Sequence, residues 1–317
     1  MAYHLHQIPL FTTLEKAENI LLAGAGGGFD IYSGLPLYFA LRQMGKKVYL
    51  ANLSFTFLAG TDAKQINEVT WKVTAQNSGT SYFPEKYLCE WLESVGEQVA
   101  IYSFIKAGVV LLRDAYQELI DTLDLDAVVL VDGGTDSLMR GDEAGLGTPT
   151  EDVASMGAVF QAKVAQKLLV CLGFGVDDFH GVPHAQFLEN VARLSQKNAF
   201  LGCFSLTPGM AEANALRDAT LYANEKMSFH PSIVANSIVS ALEGHYGDYH
   251  ATSRTSGSRL WINPLMYMYW GFQLEPVIDE LLYYELIRNT ESISEINNLI
   301  MLFRSRITPK LKEEIPL

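Results

Sequence analysis

Three turns of the chain concentrate groups that hold ions or move protons. They read GAGGGFD at Gly24–Asp30, DGGTD at Asp132–Asp136 and DDFHGVPH at Asp177–His184. Asp132 and Asp136 flank a Gly-Gly-Thr turn, and two oxygen donors so close suit Mg²⁺ or the hydroxyls of a ribose. Asp178 beside His180 supplies the parts of a general base with its orienting carboxylate, and Asp136 is a third candidate for acid/base work. Adjacent Asp177 and Asp178 point to opposite sides of an extended chain, so at most one of them faces a shared site. His180 and His184 have the spacing of a helical metal pair, but Pro183 disfavours helix at Val182. Each acid also has a purely local use, since Asp commonly fixes a turn by accepting from nearby N–H groups.

The glycine turn offers a different chemistry. Gly24, Gly26, Gly27 and Gly28 let the backbone approach a ligand closely, and the helix that follows offers free amides to an anion. With Asp30, with Asn52 at the end of the next strand, and with Gly133 and Gly134, they form a candidate cofactor cradle for a nucleotide or NAD. Neither standard fingerprint is complete. Phe29 replaces the third glycine of G-x-G-x-x-G, Asn52 replaces the acid expected after the second strand, and there is no Gly-Lys-Ser/Thr. Arg254 and Arg259, in the stretch ATSRTSGSR, are suited to closing over a substrate phosphate or carboxylate, or simply belong to a polar loop.

These residues share one position in the pattern. Short apolar runs lead into each turn, and helix-periodic segments leave it. Strands are expected at Asn19–Ala23, Val48–Leu53, Val99–Phe104, Ala127–Val131, Lys167–Leu172 and Ala199–Leu206. Helices are expected at Ser33–Met44 with Ser33 as its cap, at Pro84–Val95, at Val109–Leu123, after Thr148, at Pro183–Leu194, after Thr207-Pro208 and after His230-Pro231. Thr148-Pro149-Thr150-Glu151 reads as a capping box, which makes Glu151 structural. Alternation of this kind predicts an α/β, Rossmann-like three-layer fold around a mainly parallel sheet. In such sheets ligands bind outside the carboxyl ends of the strands, where these turns lie. One domain spans 1–317, with its core over 15–245 and a helical and aromatic appendage over 246–317. Within that appendage LMYMYWGF reads as a buried strand or a contact between copies of the chain.

Composition narrows the partners. The chain has 317 residues, 49% of them hydrophobic, and a formal net charge of −13. Such a surface repels phosphate backbones and anionic membranes, which leaves a small-molecule ligand as the expected partner. No apolar run reaches the roughly 18 residues needed to span a bilayer, and the first residues do not read as a secretory leader. Cys89, Cys171 and Cys203 are odd in number and lack C-x-x-C spacing, so neither a disulfide framework nor a thiolate zinc site is expected. Cys171 and Cys203, in apolar runs, are expected to be buried. Together these features predict a cytoplasmic protein.

The residues LLAGAGGGFDIYSGLPL at Leu21–Leu37, LVDGGTDSLMRGDE at Leu130–Glu143 and the LGTPTED after them resemble the family called domain of unknown function 1152. The resemblance spans most of the chain and implies a Rossmann-like fold, with no catalytic residues to carry over. A shorter likeness joins Gly24-Ala25-Gly26 and Ser33-Gly34-Leu35-Pro36, with Gln76-Asn77, to the NAD-binding segment of sirtuins. It implies nucleotide or NAD binding; Leu37-Tyr38-Phe39 stands where that family has acid-Phe-Arg, and its zinc cysteines are missing. Two functions follow as expectations. One is an enzyme for a phosphate- or ribose-bearing metabolite, a hydrolase or transferase with Asp132 and Asp136 on Mg²⁺; the other is a non-catalytic nucleotide- or NAD-binding module.

Overall fold

The computed structural model describes residues 3–258 and 260–315. Arg259, one of the two arginines singled out above, lies outside the described residues.

Apolar runs that alternate with helices fold into strands covered on both faces. The strands in chain order are β1 (Asn19–Gly24), β2 (Lys47–Leu53), β3 (Lys64–Gln65), β4 (Thr70–Val73), β5 (Ile101–Phe104), β6 (Ala127–Gly133), β7 (Gln166–Leu172) and β8 (Phe200–Ser205). They are followed by β9 (Gly247–Asp248), β10 (Trp261–Ile262) and β11 (Met268–Gln273). Among the described residues one large sheet has the order β3-β4-β5-β2-β1-β6-β7-β11-β8, and β9 pairs only with β10. The five strands from β5 to β7 run parallel to one another. The architecture is therefore α/β, with a mainly parallel mixed sheet between helical layers.

Side chains of a strand alternate between faces, and the two cores follow that period. Leu21, Ala23, Val128 and Leu130 pack on one face with the helices Val109–Leu123 and Pro149–Gln161. Ile20, Leu22, Val129 and Val131 pack on the other with the helices Leu35–Gln43, Pro84–Ser94 and Ala211–Lys226. The chain leaves β1 toward β2 on one side, and later returns to lay β6 on the other side of β1. This reversal opens a crevice between the turns that follow β1 and β6, where parallel sheets place their ligands.

Several expectations change. LMYMYWGF supplies β11, which is antiparallel to both β7 and β8, so this part of the C-terminal region is woven into the sheet. The short strand β3 at the sheet edge and β4 beside it carry no apolar run that marks them in the sequence. Ser33 does not cap a helix: a short helix, Asp30–Ser33, precedes Leu35–Gln43, which begins after Gly34. The helices expected at Thr207-Pro208 and His230-Pro231 begin later, at Ala211 and Ile233. Cys171 is buried as expected, but Cys203 is exposed because β8 ends the sheet with one edge unpaired. No helix among the described residues is long and apolar enough to cross a membrane.

Candidate metal centre

The crevice gathers acids from four separate segments. A cavity of about 330 Å³ is lined by Asp30, Asp132, Asp136, Asp152 and Asp177, together with Gly26, Gly133, Lys106 and His180. Asp30 comes from the turn after β1, Asp132 from the end of β6 and Asp136 from the turn beyond it. Asp152 lies in the first turn of the helix Pro149–Gln161, and Asp177 in the turn after β7. One turn further along that helix, Ser155 donates to the Ala25 carbonyl at 2.7 Å, which fixes the helix against the glycine turn.

Most of these carboxylates have one oxygen held by their own surroundings. Gly26 and Gly27 N–H donate to Asp30 Oδ2 at 2.6 and 3.0 Å. Ser137 Oγ donates to Asp132 Oδ2 at 2.6 Å, Thr148 N–H to Asp136 Oδ2 at 2.8 Å, and Thr135 N–H to Asp177 Oδ2 at 2.5 Å. Asp152 differs. Its residue is 3% exposed, and its Oδ1 is buried without a hydrogen-bond partner among the described residues. Asp30, Asp132 and Asp152 each offer a ligand oxygen, and the three oxygens lie within 4.8 Å of one another.

Among the described residues no lysine or arginine pairs with any of the five. Lys106 Nζ is the cation at the wall, and it binds Glu151 at 2.7 Å. Crowded acids under these conditions hold protons more tightly than free ones. Burial, reinforced by the Asp136 charge and opposed by the Gly26 amide, pushes Asp30 up to about 7. Burial and the neighbouring acids hold Asp132, Asp152 and Asp177 well above the usual carboxylate range. Burial also raises Asp136, against the pull of the Thr148 donors and of His180.

The residues singled out in the sequence divide sharply. Asp30, Asp132, Asp136, Gly26, Gly27, Gly133 and His180 all line the cavity. Asp178 does not: the short helix Val176–His180 turns Asp177 inward, and Asp178 pairs with Lys312 at 2.9 Å. The Asp178–His180 pair therefore does not form, and His184 packs against Phe174 with Nε2 buried and unbonded. Gly134 lies against the Asp177 carboxylate. Gly24 and Asn52 lie beneath the turn, where Asn52 Nδ2 donates to the Gly28 carbonyl and to buried Glu85. The expected capping box is also replaced: Thr148 Oγ1 turns to Asp136, and Glu151 to Lys106.

The glycine turn is thus a cradle already filled. Its amides hold the Asp30 carboxylate, and Gly28 N–H is spent on the Leu53 carbonyl. Gln76 and Asn77, the pair that matches the sirtuin likeness, bond instead to Glu93 and Asp62. Sequence reasoning misses Asp152 and Asp177 as site residues. Asp152 resembles any acid favoured at a helix N-terminus, and the direction of Asp177 is set by a turn that spacing does not reveal.

The cavity continues into two others. A groove of about 720 Å³, lined also by Lys106, Thr148 and Glu151, runs toward the helix Ile293–Ser305. On the other side a cavity of about 340 Å³ shares Gly27, Asp30, Phe55, Gly133, His180 and Val234 with the acidic one.

No curated protein and no solved structure matches the chain significantly. A family model does, over residues 21–314, which include every acid of the cavity. The chain belongs to the family described as "Protein of unknown function (DUF1152)".

Proposed function

We propose that this protein is an enzyme that uses a divalent cation, held by Asp30, Asp132 and Asp152, to hydrolyse or transfer a group on a small phosphate- or ribose-bearing molecule. One observation carries the reading: Asp152 Oδ1 is buried without a donor among the described residues, inside a set of three carboxylates within ligand distance of each other. Such a set is repulsive when charged, and either protons or a bound cation must neutralise it. Oxygen ligands alone suit Mg²⁺ or Mn²⁺, and Mg²⁺ in such sites keeps several waters for substrate to displace.

The bound cation would polarise a phosphoryl or carbonyl oxygen, or make a bound water nucleophilic. His180 stands on the cavity wall and is exposed, so it is the group suited to exchanging a proton with solvent. Asp136 replaces Asp178 as the acid near it. A non-catalytic dinucleotide module has weaker support, because the loop amides it would need are bonded to Asp30.

The test is turnover of a panel of nucleotides and sugar phosphates by metal-stripped protein, with and without Mg²⁺ or Mn²⁺, followed by NMR. Turnover that requires the cation and falls roughly a hundredfold or more in Asp132→Asn is the expected result. Equal turnover in EDTA, or in Asp132→Asn, overturns the reading.

A further inference from the structure

The cavity next to the acids shares Asp30 with them but adds basic groups. Its lining includes Arg254, His230, Tyr82, Ser232 and Ser33. Arg254 is tied in place by a bond from Nη1 to the Pro231 carbonyl at 2.9 Å, and it pairs with no carboxylate among the described residues. The Tyr82 ring meets the His230 imidazole edge-on, with centroids 5.7 Å apart. Arg254 and His230 are both solvent-exposed, and in a chain of net charge −13 they set two basic groups beside one cavity.

Ser33 belongs to the same lining. It is 1% exposed. Its backbone is fixed, since Tyr269 on β11 donates to the Ser33 carbonyl at 2.7 Å. Ile233 and Val234, the first residues of the ten-residue helix Ile233–Leu242, face the same space.

We propose that this second cavity is an anion subsite, and that it holds a phosphate group of the substrate through Arg254, His230 and Ser33. The proposal rests on the cation reading of the acidic cavity and deepens it by naming a phosphorylated small molecule as the substrate class. The two cavities meet at Asp30, Gly133 and His180, so one ligand reaches both. Its phosphate sits against the guanidinium, and its reacting bond lies over the acids. A guanidinium recognises phosphate oxygens with paired, charge-assisted hydrogen bonds, which a carboxylate-lined cavity cannot provide. The cavity's size of about 340 Å³ suits a sugar phosphate.

Calorimetric titration of the full chain with inorganic phosphate, in Mg²⁺ and separately in EDTA, tests the proposal. Wild type is expected to bind phosphate at millimolar concentration or better. Arg254→Met is expected to weaken binding roughly tenfold or more, the loss of one charge-assisted contact. His230→Gln and Ser33→Ala should weaken it by smaller factors. Arg254→Met should leave Mg²⁺ affinity unchanged, which separates this subsite from the metal centre. If Mg²⁺ does not bind but phosphate still binds in EDTA and is lost in Arg254→Met, the metal reading falls and the subsite stands. Phosphate affinity that is the same in Arg254→Met, or no phosphate binding in either buffer, overturns the subsite whatever the cation does.

Discussion

Asp152 Oδ1 stands 2.6 Å from the point where a Cβ on Gly26 would sit. The glycine turn therefore owes its small residue at this position to a carboxylate that has no hydrogen-bond partner on that oxygen among the described residues. Gly26→Ala must push Asp152 out of line with Asp30 and Asp132. Cation affinity is expected to fall about 10–100-fold, as it does when groups that orient metal ligands are changed. Titration with Mn²⁺ checks this, alongside a thermal melt to show that the variant folds. Wild-type affinity in Gly26→Ala would mean that Asp152 is not a ligand.

The raised acids set the pH dependence. An acid whose pKa is higher in the folded state binds protons more tightly there than in the unfolded chain. Its stabilising contribution is complete below the unfolded value and is lost as pH rises through the folded one. For Asp30 that window runs from about 3.8 to about 7, and Asp132, Asp152 and Asp177, also raised by burial, act in the same direction. Cation-free protein should melt at a higher temperature in mildly acidic than in mildly alkaline buffer. Glu189 and Glu280, held low by Arg193 and Lys197, act in the other direction but only near or below about 4.5. Because a cation binds the ionised acids, added Mg²⁺ should raise the melting temperature more at alkaline pH. Scanning fluorimetry with EDTA and with Mg²⁺ reads both effects. A cation-free melting temperature that climbs across neutral pH would contradict the account.

Asn52 occupies the position where dinucleotide folds carry an acid, yet its side chain faces inward. It donates to Glu85 at 2.8 Å and to the Gly28 carbonyl at 2.9 Å, and both Asn52 and Glu85 are fully buried. Asn52→Asp would set a second buried carboxylate against Glu85 and remove both donors. A loss of about 3–5 kcal/mol in urea unfolding is expected, the scale for an uncompensated buried charge. Stability equal to wild type would show that the Asn52–Glu85 contact does not support the turn.

Asp178 supplies the contrast. Its bond to Lys312 is a surface ion pair, with side chains 27% and 55% exposed. Asp178→Asn should cost no more than about 1 kcal/mol and leave Mn²⁺ affinity unchanged. A tenfold loss of affinity would return Asp178 to the site.

Much of this arrangement is legible in the amino-acid sequence. The apolar run at Ala127–Val131 and its helical neighbours mark a covered parallel strand, and parallel sheets gather ligands at one edge. That reasoning brings Asp30, Asp132 and Asp136 to one cavity from turns more than a hundred residues apart in sequence. What stays hidden depends on tertiary contacts. Neighbouring Asp177 and Asp178 are separated by the pitch of one short helix. Asp152 is masked by a plausible capping box whose two members turn to Asp136 and Lys106 instead. The strand reading of the Met- and Tyr-rich run holds, but its place between β7 and β8 is one that no local pattern records.

Calorimetric titration of metal-stripped protein with Mn²⁺ near neutral pH tests the central claim most directly, with Asp132→Asn and Asp152→Asn titrated beside wild type. The account predicts that wild type binds a cation and that each substitution weakens it roughly tenfold or more while the fold is retained. A wild type that takes up no divalent cation, or two variants that bind as tightly as it does, would contradict it.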